Sequence, residues 1–492
     1  MKKAVYLYPF LLSMLLFVSC QKQDDPVQVT DESLEIHDFI WKGMNLYYLW
    51  KPQIADLADN RFNSDQTYTD FLGSYADPAT FFEHLIYNRQ SVDKWSWIVD
   101  DYIALENAFS GISTSNGIEY GLVYEQGSSS DIYGYVRYIL PDSDAAGKGI
   151  QRGAIFEAID GVQLTVDNYQ ELLAANTYTM HFAEWNGGNP ISNGITVSLN
   201  KAAYQENPVY KAQTLESNGT KIAYLMYNAF TKDFDQALNE AFGQFIADGA
   251  SELVIDLRYN GGGSIQTATY LAQMITGQFT GEVFVKERWN NELQAYFEES
   301  HPEWLVNNFV DKIAANNSPI NSLQLGKVYI ITSGSSASAS ELIINGLNPY
   351  IEVITVGTTT HGKYTGSVTL YDSDNFSRSG DNLNPEHSWA IQPIVMETLN
   401  KLDENSPNGF TPTHELIDHI AQMTALGEPT EPLLSKAIEL ITGQSGRSTE
   451  TTDLKTLTTV KAFSDSKAVK RFGNEMYIDK ELPLDLPKQI SF

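Results

Sequence analysis

The chain has 492 residues, with 32 Lys and Arg against 62 Asp and Glu, which gives a formal net charge of −30. So acidic a surface argues against nucleic acid and anionic lipid as partners of the folded body. A hydrophobic content of 42% is typical of folded domains, and the length favours about two to four of them rather than one core.

The first 19 residues have the features of a bacterial secretion signal: Lys2 and Lys3, an apolar run from Tyr6 to Val18, and a small residue before Cys20. The apolar run is shorter than the roughly 20 residues of a membrane span. Cys20 is the only cysteine, so no internal disulfide can form. Its context resembles the lipobox of bacterial lipoproteins. The alternative is an ordinary signal peptide with an incidental cysteine.

We therefore predict a signal peptide at 1–19, lipidation of Cys20 and a polar tether at 20–33. The mature protein is then expected in the cell envelope, anchored by lipid to the outer membrane and facing either the periplasm or the outside. The acidic residues that follow Cys20 loosely resemble the surface-export signal of Bacteroidetes lipoproteins.

Residues 34–104 predict a helical N-terminal domain. Apolar side chains between Ile36 and Leu49 recur at helical spacing, and Pro52 predicts the end of that helix. Aromatic residues are abundant in this region. They are interpreted as the core of a small bundle, with a glycan-stacking surface as the alternative.

Residues 105–200 predict a β-rich domain. Strands are expected at 118–124 and 134–140, a turn and short helix at Pro141–Ile150, and a closing helix at Tyr169–Ala175. The order of these elements resembles a PDZ domain of the bacterial protease type. The residues that carry the resemblance are turn and core positions: Pro141, Ala145, Gly149, Gly153, Ile155, Ile159, Asp160 and Gly161.

The PDZ resemblance implies that Tyr120, Gly121 and Leu122 form the loop that binds a peptide carboxylate. In that mode the end of the peptide adds as a strand to a sheet edge, and backbone N–H groups hold its carboxylate. The alternative is a β-rich spacer that binds nothing.

Residues 205–435 alternate strands and helices, which predicts an α/β layered domain. The expected elements are strands at 221–227, 253–257, 327–331 and 351–356, and helices at 233–247, 265–275, 339–347, 416–426 and 433–441. An insert between Gly281 and Ser322 is expected to form a lid or a wall of a cleft. The C-terminal extension, 436–492, is either an appended strand or a docked tail.

One strand of this domain runs into the glycine-rich turn Arg258-Tyr-Asn-Gly-Gly-Gly263. Glycine lets the backbone approach a ligand closely, and N–H groups at such a turn can hold negative charge. A phosphate cradle is disfavoured because the Gly-Lys-Ser/Thr pattern is missing. The glycine-rich turn is therefore interpreted either as an oxyanion site or as a plain tight turn.

A second strand delivers Ser338 to the start of a helix in the run Ser333-Gly-Ser-Ser-Ala-Ser338-Ala-Ser-Glu341. Backbone N–H groups at a helix start can stabilise an oxyanion beside the serine. Lys363 follows 25 residues later. A serine needs a base, and burial would lower the pKa of a lysine toward the useful range. Each residue alone has an ordinary alternative, a helix cap or a surface lysine.

Together, the glycine turn, the Ser-Ala-Ser-Ala-Ser-Glu run and Gly-Lys363 resemble the S41 peptidases, the C-terminal processing proteases, over roughly residues 105–435. The resemblance implies Ser338 as nucleophile, Lys363 as general base, and the N–H groups of Gly262 and Ala339 as oxyanion donors. It also implies an α/β core of the ClpP/crotonase kind. The helical segment 34–104 resembles the N-terminal domain of Bacteroidetes lipoprotein members.

The chain departs from the family pattern at one position. Many S41 members have a glutamine four residues after the lysine, where it orients the amine, and this chain has Ser367. Ser367 or its neighbour Thr365 is the candidate replacement. His361 lies near Lys363, but the lysine explains more of the pattern. His414 and His419 are five apart, so they do not share the helix face that zinc ligands require.

The sequence therefore predicts an α/β multidomain protein: a helical N-terminal domain, a PDZ-like domain and an S41 core. The predicted function is a serine endopeptidase acting on protein or peptide substrates through a Ser338–Lys363 dyad, without metal or cofactor. The PDZ-like domain would recognise substrate C-termini. The alternatives are a catalytically inactive S41 relative and a glycan- or peptide-binding lipoprotein. The oligomeric state is left open.

Overall fold

The computed structural model describes residues 29, 31–185, 189–444, 460–469 and 476–478. The predicted signal peptide, Cys20 and most of the predicted tether lie outside the described residues. Among the helices of the described ranges, none is long and apolar enough to cross a membrane.

The N-terminal region, residues 31–109, is mainly helical, as the aromatic periodicity predicts. Its elements are α1 (Glu35–Tyr47), α2 (Asp65–Leu72), α3 (Pro78–His84), β1 (Trp97–Val99) and α4 (Tyr102–Phe109), with 3-10 turns at Glu32–Leu34, Lys51–Gln53 and Ala55–Leu57. Side-chain caps define two helix starts: Ser64 accepts from Thr67 N–H, and Asp77 accepts from Thr80 N–H ahead of Pro78.

The aromatic residues of this region are core residues. The side chains that are at most 1% exposed include Trp41, Tyr47, Tyr48, Tyr68, Phe81 and Phe82. They cannot stack on a glycan, because burial leaves no face of these rings accessible. The same apolar core continues into the α/β domain, since Gly43 of α1 lies against Ile391 and Leu370.

The middle domain, residues 112–205, is a strongly bent antiparallel sheet closed by one helix. Its elements are β2 (Ile112–Ser115), β3 (Ile118–Tyr124), β4 (Ile132–Ile139), β5 (Ile155–Ile159), β6 (Val162–Gln163), α5 (Tyr169–Ala174), β7 (Thr177–Glu184), β8 (Ile191–Asn200) and β9 (Ala202–Gln205). The main sheet runs β3-β4-β5-β7-β8, and its residues Leu122, Val136 and Phe156 share one buried cluster with Leu173 of α5.

Two expectations for the middle domain were wrong. Pro141–Ile150 forms successive turns with no helix, because three glycine or aspartate positions there adopt positive φ (Asp142, Gly147, Gly149). Tyr120, Gly121 and Leu122 lie in the middle of strand β3 and not in a loop. All three residues are buried, as expected of a strand that is covered on both faces.

The core domain, residues 209–442, contains two packed sheets with helices around them. Its first elements are β10 (Val209–Ser217), β11 (Thr220–Tyr227), α6 (Asp235–Asp248), β12 (Glu252–Asp256), β13 (Gly263–Ser264), α7 (Ile265–Thr276), β14 (Val283–Trp289), α8 (Asn291–Ser300), β15 (Val306–Asn308), β16 (Lys312–Ile313) and β17 (Ser318–Pro319). The next are β18 (Lys327–Thr332), α9 (Ala339–Leu347), β19 (Glu352–Gly357), β20 (Thr365–Ser367), β21 (Leu370–Tyr371), β22 (Ala390–Gln392), β23 (Ile394–Leu399), β24 (His414–Glu415) and α10 (Pro432–Thr442), with 3-10 turns at Lys232–Phe234, Pro302–Trp304 and Ile420–Gln422.

The first sheet has the order β10-β11-β12-β18-β19-β24, and β11 to β24 run parallel. Its central strands β11, β12 and β18 are buried on both faces, as expected of parallel strands covered on both sides. Because β12 and β18 are adjacent and parallel, the loops at their carboxyl ends meet. Those loops are the glycine turn and the serine run.

The second sheet follows the order β13-β26-β20-β23-β14-β15, in which β26 is Met476–Tyr477. It includes β14 and β15 of the insert 281–322, where Trp289 and Trp304 are 3% and 7% exposed, so the insert is part of the wall of the domain. The helix expected at 416–426 is absent: a 3-10 turn flanked by chain without regular secondary structure occupies that stretch, directly after β24.

The described C-terminal segments add two strands to other sheets. The strands are β25 (Ala462–Asp465) and β26 (Met476–Tyr477), and the short helix α11 (Ser466–Val469) follows β25. β25 pairs antiparallel with β3 of the middle domain. β26 pairs parallel with β13 on one side and with Ser367 of β20 on the other. Of the two expectations for the extension, these segments fit the appended strand.

Candidate active site

Ser338 lies at the turn between β18 and α9 in a conformation that costs energy. Its φ is 64°, a value that non-glycine residues adopt with strain and often at functional sites. The side chain is fully buried, and its Oγ has no hydrogen-bond partner among the described residues. The Ala339 N–H is at the first position of α9, where a helix offers donors without intrahelical partners.

The glycine turn is packed so tightly that one position admits only glycine. Gly263 has φ 138°, and a Cβ there would lie 2.2 Å from the Phe230 carbonyl oxygen. Gly262 has φ 114°, and its N–H donates to Asn260 Oδ1 at 2.9 Å. In this conformation the predicted oxyanion donor Gly262 is therefore already bonded to a side chain.

Hydrogen bonds join the glycine turn to the serine run. The Asn260 carbonyl accepts from Ala337 N–H at 3.1 Å and from Ser340 Oγ at 3.0 Å. Ser336 Oγ donates to the Leu257 carbonyl at 2.7 Å. These bonds hold the backbone of Ser338 against the turn, so the two sequence motifs form one structural unit.

Lys363 lies just before β20 and is fully buried. Lys363 and Ser338 line the same cavity of about 10 Å³, together with Glu341, Tyr364 and Phe410. The Lys363 Nζ also lies 5.8 Å from the centre of the Trp95 ring. The structure thus brings the two predicted residues together, in a cavity with room for about one water molecule.

Glu341 connects the backbones of the two candidate residues. Its Oε2 accepts from Ser338 N–H and from Lys363 N–H, both at 2.9 Å, and its Oε1 accepts from Thr360 Oγ1 and Gly362 N–H, both at 2.6 Å. Burial raises the pKa of this carboxyl, and the four donated hydrogen bonds only partly oppose that rise. Glu341 therefore positions both Ser338 and Lys363.

The variant Glu341→Gln should destabilise the fold by about 1–3 kcal/mol, because its amide N–H₂ would face two N–H donors that lose their acceptor. Urea-induced unfolding, followed by circular dichroism, measures the change. Glu240→Gln, on an exposed face of α6, is the matched control. Equal stability of Glu341→Gln and wild type would show that these four bonds do not hold the site together.

Ser367 makes two hydrogen bonds away from the candidate dyad. Its Oγ donates to the Met476 carbonyl at 3.0 Å and accepts from Gln392 Nε2 at 3.0 Å. Since its single proton is used on Met476, Ser367 can meet a lysine amine only as an acceptor. Its lysine-orienting role stays a prediction, and so does that of Thr365.

Sequence reasoning missed three residues of this neighbourhood. Glu341 stands inside the serine run, where an acidic residue three positions after a helix cap is a recognisable capping signal. Trp95 and Gln392 come from distant parts of the chain, and nothing in their local sequence marks them. The side chain of His361 is exposed, unlike the buried pair, and its ring lies 6.4 Å from the Trp95 ring.

Fold and site together describe an α/β domain in which a buried serine and a buried lysine line one small cavity. Residues 221–377 match the family model of peptidase family S41, and residues 35–97 match that of the peptidase S41 N-terminal domain. Two segments of the chain are thus similar to two parts of peptidase family S41, and the predicted fold class, an α/β S41 core with a separate N-terminal domain, is confirmed.

Two curated relatives agree with this assignment. The chain is 26% identical over 231 residues to a carboxyl-terminal-processing protease of Picosynechococcus, a match covering 46% of this chain and 49% of the relative. It is 25% identical over 184 residues to a chloroplastic C-terminal processing peptidase of Tetradesmus obliquus, covering 35% of this chain and 39% of the relative. The chain thus spans half the length, or less, of these relatives.

The fold itself also occurs in a solved structure. A crystal structure titled as an S41 protease from Bacteroides fragilis superposes with a TM-score of 0.63 at 22% identity, covering 82% of this chain and 97% of that chain. At this identity the likeness concerns the fold.

Proposed function

We propose that this protein is a serine endopeptidase in which Ser338 is the nucleophile and Lys363 the general base. The observation that carries the proposal is the shared small cavity of a strained, fully buried serine and a fully buried lysine. A buried lysine that lends its amine to a serine is the arrangement that Ser-Lys catalysis requires. The match of residues 221–377 to the family model of peptidase family S41 supports the same reaction.

In the proposed reaction Ser338 Oγ attacks the carbonyl carbon of the scissile peptide bond while Lys363 Nζ takes the hydroxyl proton. The C–N bond then breaks, and the lysine gives that proton to the leaving amine. A water molecule hydrolyses the acyl-serine with the same base. Because Ser338 Oγ makes no hydrogen bond in the described residues, one of the two side chains shifts before proton transfer.

The negative charge of the tetrahedral intermediate needs backbone donors near Ser338. Ala339 N–H is at the helix start, and Gly262 N–H becomes a donor once it leaves Asn260 Oδ1. A cavity of about 10 Å³ admits no peptide. The proposed enzyme therefore opens this cleft before it binds substrate, and β26, which lies between β13 and β20, is one element bordering the site.

We further propose that the middle domain is a PDZ-like module that binds the C-terminal segment of a protein substrate. Support comes from β3, whose outer edge already accepts an antiparallel strand, the geometry of β-augmentation. A cavity of about 650 Å³ lies at the start of β3 and is lined by Asn116, Leu173 and Tyr178, among others. The proposal includes a lipid anchor at Cys20, which rests on the sequence pattern at 1–20.

The base is tested with Lys363→Met, which keeps an unbranched side chain of similar length and removes the amine. The initial rate of β-casein cleavage should fall by about 10²- to 10⁴-fold, the usual contribution of general acid–base catalysis. Lys232→Met, at an exposed lysine, is the matched control and should cleave at the wild-type rate.

A wild-type rate for Lys363→Met would exclude the lysine as base. If wild-type protein binds casein without cleaving it, the inactive S41 relative becomes the better interpretation.

A further inference from the structure

Strand β25 occupies the edge of the middle domain at which a peptide would add. Ala462 lies opposite Val123, Ser464 opposite Leu122 and Asp465 opposite Gly121, and Tyr124 N–H donates to the Lys461 carbonyl at 3.0 Å. The other edge of β3 is paired with β4. A strand has two edges, so β3 cannot pair with a substrate strand while β25 is in place.

The side chains of this segment contact both walls of a groove between β3 and α5. The Phe463 ring lies 5.2 Å from the Tyr124 ring of β3 and 5.1 Å from the Tyr169 ring of α5. Ser466 Oγ donates to Glu119 Oε2 at 2.6 Å and accepts from Tyr120 N–H at 3.2 Å. The segment thus has backbone pairing, an aromatic anchor and a polar end, as a bound peptide has.

A carboxylate at the end of β25 connects the groove with the serine run. Asp465 Oδ2 lies 2.8 Å from Arg137 Nη1 and accepts from Ser335 Oγ at 2.9 Å. The two charged side chains are only 10% and 15% exposed, so the pair is partly shielded from water. Ser335 stands three residues before Ser338, and departure of β25 therefore removes a hydrogen bond from the nucleophile's own loop.

We propose that residues 462–466 are a resident ligand of this groove, which the C-terminal segment of a substrate must displace before it can bind. The inference rests on the proposed function of the middle domain. The contacts of β25 indicate which substrate end would fit: an extended segment with an aromatic side chain where Phe463 lies and a carboxylate where Asp465 lies. The affinity for such an end is lowered by the fraction of molecules in which β25 occupies the groove.

The test compares how tightly one peptide probe binds the groove in two proteins that differ only in residue 463. The probe is a fluorescein-labelled peptide with the sequence of residues 460–465, Val-Lys-Ala-Phe-Ser-Asp, and a free terminal carboxylate. The proteins are full chains in the Ser338→Ala background, which prevents cleavage, with either the native tail or Phe463→Ala. Fluorescence anisotropy gives Kd, and a probe with Ala in place of Phe is the matched control.

The protein with Phe463→Ala should bind the probe about tenfold more tightly. Its resident segment lacks the aromatic anchor, so the groove is unoccupied in a larger fraction of molecules. Asp465→Asn should act in the same direction through loss of the Arg137 pair. The Ala probe should bind more weakly than the Phe probe to every protein.

Equal Kd values for both tails, with the Phe probe still preferred over the Ala probe, would overturn the resident ligand and leave the groove as a peptide site. If no protein binds either probe while casein is cleaved by the enzyme that retains Ser338, the groove proposal and this inference both fall, and the proposed peptidase stands.

Discussion

The variant Ser338→Ala should lower kcat for peptide hydrolysis by about 10⁴-fold or more, because loss of the nucleophile leaves only binding and oxyanion stabilisation. The fold should persist. Ser338 Oγ has no hydrogen-bond partner among the described residues, so its removal breaks no described bond, and alanine tolerates a φ of 64° no worse than serine does. Initial rates on β-casein measure kcat, and the midpoint of urea unfolding checks the fold.

The matched control is Ser192→Ala, at an exposed serine of β8, which should be indistinguishable from wild type in rate and stability. Casein cleavage by Ser338→Ala within tenfold of wild type would remove Ser338 from the mechanism. A large loss of stability in that variant would instead assign the serine a structural role.

The second large effect is expected at Arg258, the central cation of a buried charge cluster behind the glycine turn. Arg258 Nη2 lies 2.7 Å from Asp256 Oδ2, and Nη1 lies 2.7 Å from Glu431 Oε1 and 3.5 Å from Asp418 Oδ2. The arginine and Asp256 side chains are fully buried. Arg258→Met fills the volume but removes the cation that pairs with Asp256 and Glu431, while Asp418 keeps Arg152. It should lower the free energy of unfolding by about 3–5 kcal/mol.

The pH dependence of that loss follows from Asp418. Burial opposes ionisation of this carboxyl, but Arg152 and then Arg258 hold its pKa below the usual range. A lowered folded-state pKa gives stability that is present above the unfolded-state pKa of about 4 and is lost as the pH falls through the folded-state value. The difference in free energy of unfolding between wild type and Arg258→Met should therefore be largest near neutral pH and smaller in acid.

Urea unfolding at pH 7 and pH 3 measures both effects. Arg288→Met is the matched control, because Arg288 is 56% exposed in its pair with Glu397, and exposed pairs contribute about 0–1 kcal/mol. A loss below 1 kcal/mol for Arg258→Met, or one that does not depend on pH, would contradict the role assigned to the cluster.

The sequence predicted those parts of the fold in which apolar residues recur with the period of a strand or a helix. The alternating α/β elements between 221 and 357 were expected within one or two residues of where they lie, because their strands are apolar on both faces and their helices carry regular apolar stripes. The helix predicted at 416–426 was wrong, because that stretch forms a 3-10 turn flanked by chain without regular secondary structure. The strand predicted at 118–124 is present as β3, whereas the loop that the PDZ resemblance implied at Tyr120, Gly121 and Leu122 is not, since these residues pair on both sides within a sheet.

Local chemistry in the sequence determined the candidate nucleophile, the candidate base and the glycine turn, since strain, backbone donors and a basic side chain each require particular residue types at particular spacings. The tertiary structure decided what surrounds them. Glu341 joins Ser338 to Lys363, Trp95 faces the lysine amine from the N-terminal region, and Arg258 supports the turn from within a charge cluster. It also decided that the chain's own residues 462–466 lie on β3. These are contacts between segments up to about 350 residues apart, created by packing and burial, and no local pattern specifies them.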